Sequence, residues 1–207
     1  MSKPEIGRSI AIVIVFMVVA AIVTRVYLNL PENNGSVGAA LWQMMRYFTI
    51  LTNALVAILL ALHIWYRPQS ASLLAGTTLA ISIVGVVFHL LLSHLVDLEG
   101  IEILIDLAFH TFVPLMTFVW WVFFAPKSPL SYVSPLSWLI WPGVYAVYAV
   151  ARGKIDSEYP YYFLNLGELG WGGLAVSVGQ FLLAFLVAGY ALYGLARLIH
   201  RYSSNPG

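Results

Sequence analysis

Ile10-Ala11-Ile12-Val13-Ile14-Val15-Phe16-Met17-Val18-Val19-Ala20-Ala21-Ile22-Val23 contains no polar side chain. With its flanks, this run is long enough to cross the roughly 20-residue apolar core of a bilayer as a helix. Five further runs have the same character, so the six expected spans are about 9–29, 41–65, 72–95, 102–124, 132–151 and 171–196. The runs are long and continuously apolar rather than alternating, which excludes a transmembrane β-barrel. Lys3 and Arg8 precede the first run as they would in a signal peptide. The run is too long for one, and no small-x-small cleavage site follows it, so it reads as a retained helix.

Composition agrees. Of the 207 residues, 61% are hydrophobic and 9% charged, whereas a soluble domain carries about a quarter charged residues. Too few charges remain to build a water-facing surface. Disorder is excluded by the same apolar content. A net charge of +1 offers no field for nucleic acid. The absence of cysteine removes disulfides, thiolate nucleophiles and cysteine metal sites. The expectation is an all-α polytopic membrane protein, a single-domain bundle of six transmembrane helices.

Lys and Arg asymmetry orients such a bundle. With the N-terminus inside, Lys3, Arg8, Arg67, Lys127, Arg197 and Arg201 are cytoplasmic, while Arg25, Arg46, Arg152 and Lys154 lie outside. Both termini are then cytoplasmic. Of the acids only Glu5 is inside, so the outer half of the bundle is the polar half.

Ionisable groups at membrane depth are costly, and by default they mark functional sites. On the second run, Gln43, Arg46, Thr49 and Asn53 recur at spacings of three and four, which puts them on one face of a continuous helix. On the fourth, Glu102, Asp106 and His110 are spaced by four. Pro114, four residues after His110, removes a backbone hydrogen bond and is expected to kink the helix there. His89, Ser93 and Asp97 form a similar series at the end of the third run. Counted at about 1.5 Å per residue, Thr49, His89 and His110 fall at one depth in the outer leaflet.

Such a layer supports three chemistries. A hydroxyl nucleophile needs a base, and an imidazole, with an unperturbed pKa of about 6.5, is the natural one. His110 would be that base and Asp106 its orienter. Asn53 or Gln43 would donate to the oxyanion, and Arg46 would hold an anionic substrate group. Alternatively, His89, His110 and Asp106, with Glu102 or His94, are acceptable zinc ligands for a metal-dependent hydrolase. The same layer also suits a small transporter or lipid-binding protein. For Thr49 or Thr52 taken singly, gluing two helices together is the plainer role.

Arg46-Tyr47-Phe48-Thr49, then His110-Thr111-x-Val113-Pro114, then Tyr159-Pro160-x-x-Phe163 resemble the androgen-induced family of multi-spanning membrane hydrolases and its bacterial branch. The likeness runs from the second to the sixth span. It implies a membrane hydrolase acting on fatty-acid esters of hydroxy fatty acids or similar lipids, in a bacterial cell membrane. It also implies Thr49 as nucleophile and His110 as its histidine, with no cofactor and no metal. Membrane lipids or lipid-like esters are the partners it implies. The loop carrying Tyr159 and Pro160 would lie at the outer interface, as part of an aromatic belt or as a lid.

Overall fold

The computed structural model describes residues 2–95, 97–126 and 128–204; Lys127, counted above as cytoplasmic, lies outside them. The fold is 84% helical, with no strand among the described residues. Five helices are long and apolar enough to cross a membrane: Lys3–Asn29, Phe48–Trp65, Ala71–Leu92, Ile101–Phe124 and Leu166–Arg201. The chain divides into two compact units, Met1–Ser128 and Pro129–Gly207.

In the first unit, α1 (Lys3–Asn29) packs against α3 (Phe48–Trp65), α5 (Ile101–Leu107) and α6 (Val113–Phe124). Ala21 of α1, Ile105 of α5, and Ala108 and Phe109 just beyond it form a buried cluster, against which Ile50 of α3 packs. The helices approach closely where glycine permits. A Cβ on Gly7 would lie 2.8 Å from the Phe124 ring, and the Gly7 carbonyl accepts a hydrogen bond from Trp120 Nε1 at 2.9 Å. Arg25 of α1 meets Glu102 of α5 in an ion pair, Nη1 to Oε1 2.7 Å.

The expected 41–65 span is two helices. α2 (Val37–Met44) ends in a turn through Met45, Arg46 and Tyr47, and α3 starts at Phe48. A straight helix over 37–65 would be about 43 Å long, well beyond a hydrocarbon core of about 30 Å; α3 alone fits. The break also turns Arg46 inward, where it is 7% exposed, while Met45 and Tyr47 face out. Gln43, Arg46, Thr49 and Asn53 therefore do not form one continuous helical stripe. Thr49 is the second residue of its helix, not the ninth.

α4 (Ala71–Val87) runs on into a π-helical turn at Phe88–Leu92. α5 does the same at Ala108–Phe112 before α6 begins. The second π turn has a visible cause. Val113 N–H bonds to the Ala108 carbonyl, five residues back, and in that register the Phe109 carbonyl would need an N–H from position 114, which proline lacks. The strain of Pro114 is thus taken up as a change of register.

The second unit comprises α7 (Ser134–Trp138), α8 (Ile140–Asp156) and α9 (Leu166–Ser204). The expected 132–151 span is interrupted at Leu139. Pro142 explains this, since its ring conflicts with the carbonyl four residues back, that of Trp138. α8 then has 17 residues and ends in Arg152, Lys154 and Asp156, so it is not among the five long apolar helices. The helical run of α9 is interrupted at Gly170, whose φ of +61° and ψ of 175° suit glycine alone. A ladder of rings, Tyr161, Phe163, Phe181 and Phe185, ties the preceding loop to α9.

Candidate functional site

The two π turns carry His89, which is exposed, and His110, which is half-buried. His110 Nδ1 lies 2.8 Å from Asp106 Oδ1, one turn earlier, and the two side chains are 16% and 19% exposed. An imidazole bonded to a carboxylate through Nδ1 is held in the tautomer that leaves Nε2 as an acceptor. Among the described residues, His110 Nε2 has no hydrogen-bond partner. The Phe88 ring stacks on the His110 ring, with centroids 3.8 Å apart and planes within 9°, and so fixes the imidazole plane from the α4 side.

His89, one residue after Phe88, places Nε2 at 2.9 Å from Thr111 Oγ1. The backbones at this crossing are close because position 85 is glycine: a Cβ there would sit 3.0 Å from the His110 carbonyl oxygen and 3.1 Å from Pro114 Cβ. Where the helices meet lies an open cleft of about 530 Å³, lined by Phe118 and by Val86, Leu90 and Leu115, which are exposed. Four polar side chains border it: Ser82, His89, His110 and Thr111. The surface of the cleft is almost wholly apolar; small-molecule sites are lined mostly by apolar side chains, and π bulges are frequent at such sites.

Thr49 does not line this cavity. It lies beside the π turn instead. Asn53 Nδ2 donates to the Thr49 carbonyl at 2.9 Å and to the Phe109 carbonyl at 3.3 Å, which draws the first turn of α3 against the residue preceding His110. Asn53 is fully buried and both amide hydrogens serve carbonyls, so the expected donation from Asn53 to an oxyanion has no hydrogen left to make it. Gln43 is on α2 and its Oε1 accepts from Asn33 Nδ2 at 2.7 Å. Arg46 sits at the α2–α3 break.

Tyr159 and Pro160 belong to the second unit and are half-buried. The Tyr159 ring covers Gly153, leaving no room for a Cβ there. Nearby, Arg152 is buried and donates to the Tyr148 hydroxyl at 2.9 Å and to Asp156 Oδ2 at 3.4 Å.

The metal-ligand alternative finds no donor set among the described residues, where no three His, Asp or Glu side chains gather. Glu102 pairs with Arg25 and Asp106 with His110. Thr111, Ser82 and Phe88 were not singled out by spacing. Thr111 stands next to His110 in the motif quoted above, and that adjacency was the available signal.

Comparison with protein-family models, with curated proteins and with solved structures finds no match for this chain.

Proposed function

We propose that the protein is an intramembrane hydrolase of lipid esters, with Thr49 as nucleophile and His110 as base. In this reading it is a six-span protein of a bacterial cell membrane with both termini cytoplasmic, α8 being the short fifth span. The observation that carries the proposal is the Asp106–His110 hydrogen bond of 2.8 Å at an apolar cleft; Thr49, which stands off the cleft, is tied through Asn53 to Phe109, the residue before His110. A carboxylate-oriented imidazole with a free Nε2 is the base half of a nucleophilic hydrolase.

The chemistry runs in two steps. The Thr49 hydroxyl oxygen bonds to the acyl carbon as its proton passes to His110 Nε2. The tetrahedral intermediate collapses, the ester C–O bond breaks, and the alcohol leaves with the proton from His110. Water then attacks the acyl-threonine, again giving its proton to His110, and the fatty acid departs as Thr49 recovers that proton. Asp106 stabilises the imidazolium in both steps. Arg46 is the cation for an acidic group on the substrate.

The test is turnover of p-nitrophenyl octanoate and of a palmitate ester of hydroxystearate by purified protein. Thr49→Ala and His110→Ala should each abolish turnover with unchanged melting temperature. Wild-type rates in either variant refute the assignment.

A further inference from the structure

Thr24, Thr77 and Thr78 donate to the carbonyl four residues back, at 2.8, 2.9 and 2.8 Å, the usual fate of a helical threonine. Thr111 does not. It stands in a π turn, and among the described residues its one hydrogen-bond partner is His89 Nε2. Its hydroxyl is thus held by an imidazole from another helix, and the residue is among those lining the cavity beside His110.

Ester hydrolysis needs a donor for the oxygen that becomes negative in the tetrahedral intermediate, and preorganised donors at that point carry much of such catalysis. Asn53 has none to give, as its amide hydrogens bond the Thr49 and Phe109 carbonyls. The Ser82 hydroxyl is buried, and the surface of the cavity is almost wholly apolar.

We propose that Thr111, backed by His89, is the oxyanion donor of the lipid-ester hydrolysis proposed above, on which this inference rests. His89 Nε2–H donates to Thr111 Oγ, and Thr111 Oγ–H donates to the carbonyl oxygen of the bound ester. Hydrogen bonds in such a chain polarise one another, so the donor strengthens as charge develops. Thr111 is then a catalytic residue, and His89 a positioning residue that acts through it. Neither gains nor loses a proton over the cycle.

The experiment measures kcat and KM for p-nitrophenyl octanoate with the full chain in detergent. Thr111→Val keeps the shape and removes the hydroxyl. Its kcat should fall about 10²- to 10³-fold with KM little changed, while Thr111→Ser keeps most of the wild-type kcat. His89→Gln, which retains an N–H donor, should be more active than His89→Leu; this pair carries the test if Thr111→Val melts early. A wild-type kcat in Thr111→Val, or a rise in KM alone, overturns the inference. If that happens while Thr49→Ala and His110→Ala are inactive, only the role of Thr111 falls. If Thr49→Ala and His110→Ala turn over normally, or the wild-type protein has no turnover, the hydrolase reading falls and this inference with it.

Discussion

Asn53 Nδ2 on α3 donates to the carbonyl of Phe109 in the π turn at 3.3 Å, where Pro114 supplies no N–H. A side chain from one helix thus supplies the hydrogen bond that a proline withholds in another, at the residue preceding the proposed base. In a bilayer core no water is at hand to do this.

Asn53→Leu should destabilise the protein by about 1–3 kcal/mol, the usual cost of an unsatisfied buried polar group. Pro114→Ala restores an N–H in the π turn, so in the Asn53→Leu background it should recover part of that loss. A double-mutant cycle by thermal or denaturant unfolding measures the coupling. Strict additivity of the two changes would show that Asn53 does not compensate for Pro114.

Gly85 and Gly7 are both sites of close helix approach, but only one borders the cavity. Gly85→Ala pushes a methyl to 3.0 Å from the His110 carbonyl oxygen, against backbone, and Gly7→Ala meets a Phe124 side chain. Both should lose about 1–3 kcal/mol by overpacking. Only Gly85→Ala should also lower ester turnover measured well below its melting temperature, because it shifts the turn that carries His110. Equal effects on turnover would argue that the cavity is not the reaction site.

The difference between these glycines marks what a sequence reading could reach. Asp106 and His110 were legible as a pair because both lie within one helix at spacing four, and that geometry is local. The Gln43–Asn53 stripe failed because the chain turns at Met45-Arg46-Tyr47 without proline or glycine. The cause there is tertiary, the inward burial of Arg46 and the length limit on a span. His89 and Thr111 come from different helices. Periodicity does not say which faces meet when nearly every face is apolar, so their hydrogen bond could not be read. Pro142 was visible, and the break it causes at Leu139 follows from proline geometry alone.

Glu102 separates the hydrolase from its metal-dependent rival. Its carboxylate pairs with Arg25, and an ion pair this exposed contributes about 0.2–1 kcal/mol. Glu102→Gln should therefore cost no more than that in unfolding experiments and leave turnover unchanged. Incubation with EDTA followed by desalting should also leave turnover unchanged. Loss of activity in both experiments, restored by zinc in the second, would transfer the site to metal chemistry.

Asp106→Asn is the sharpest test of the base. An asparagine at this position keeps the size of the side chain and can donate its amide N–H to His110 Nδ1. The imidazole then carries its proton on Nε2, the atom that must accept one from Thr49. The geometry survives and the tautomer is wrong. Turnover should fall about 10²- to 10⁴-fold, by analogy with the same change in a Ser-His-Asp triad, while KM stays close to wild type. Asp106→Glu keeps the charge, moves the carboxylate by about one methylene, and should retain more activity than Asp106→Asn. The melting temperatures of both variants should stay near that of wild type, because the pair is partly exposed and the Asn can still hydrogen-bond. If Asp106→Asn turns over at the wild-type rate, the carboxylate does not set the tautomer, and the 2.8 Å contact is a packing feature of α5.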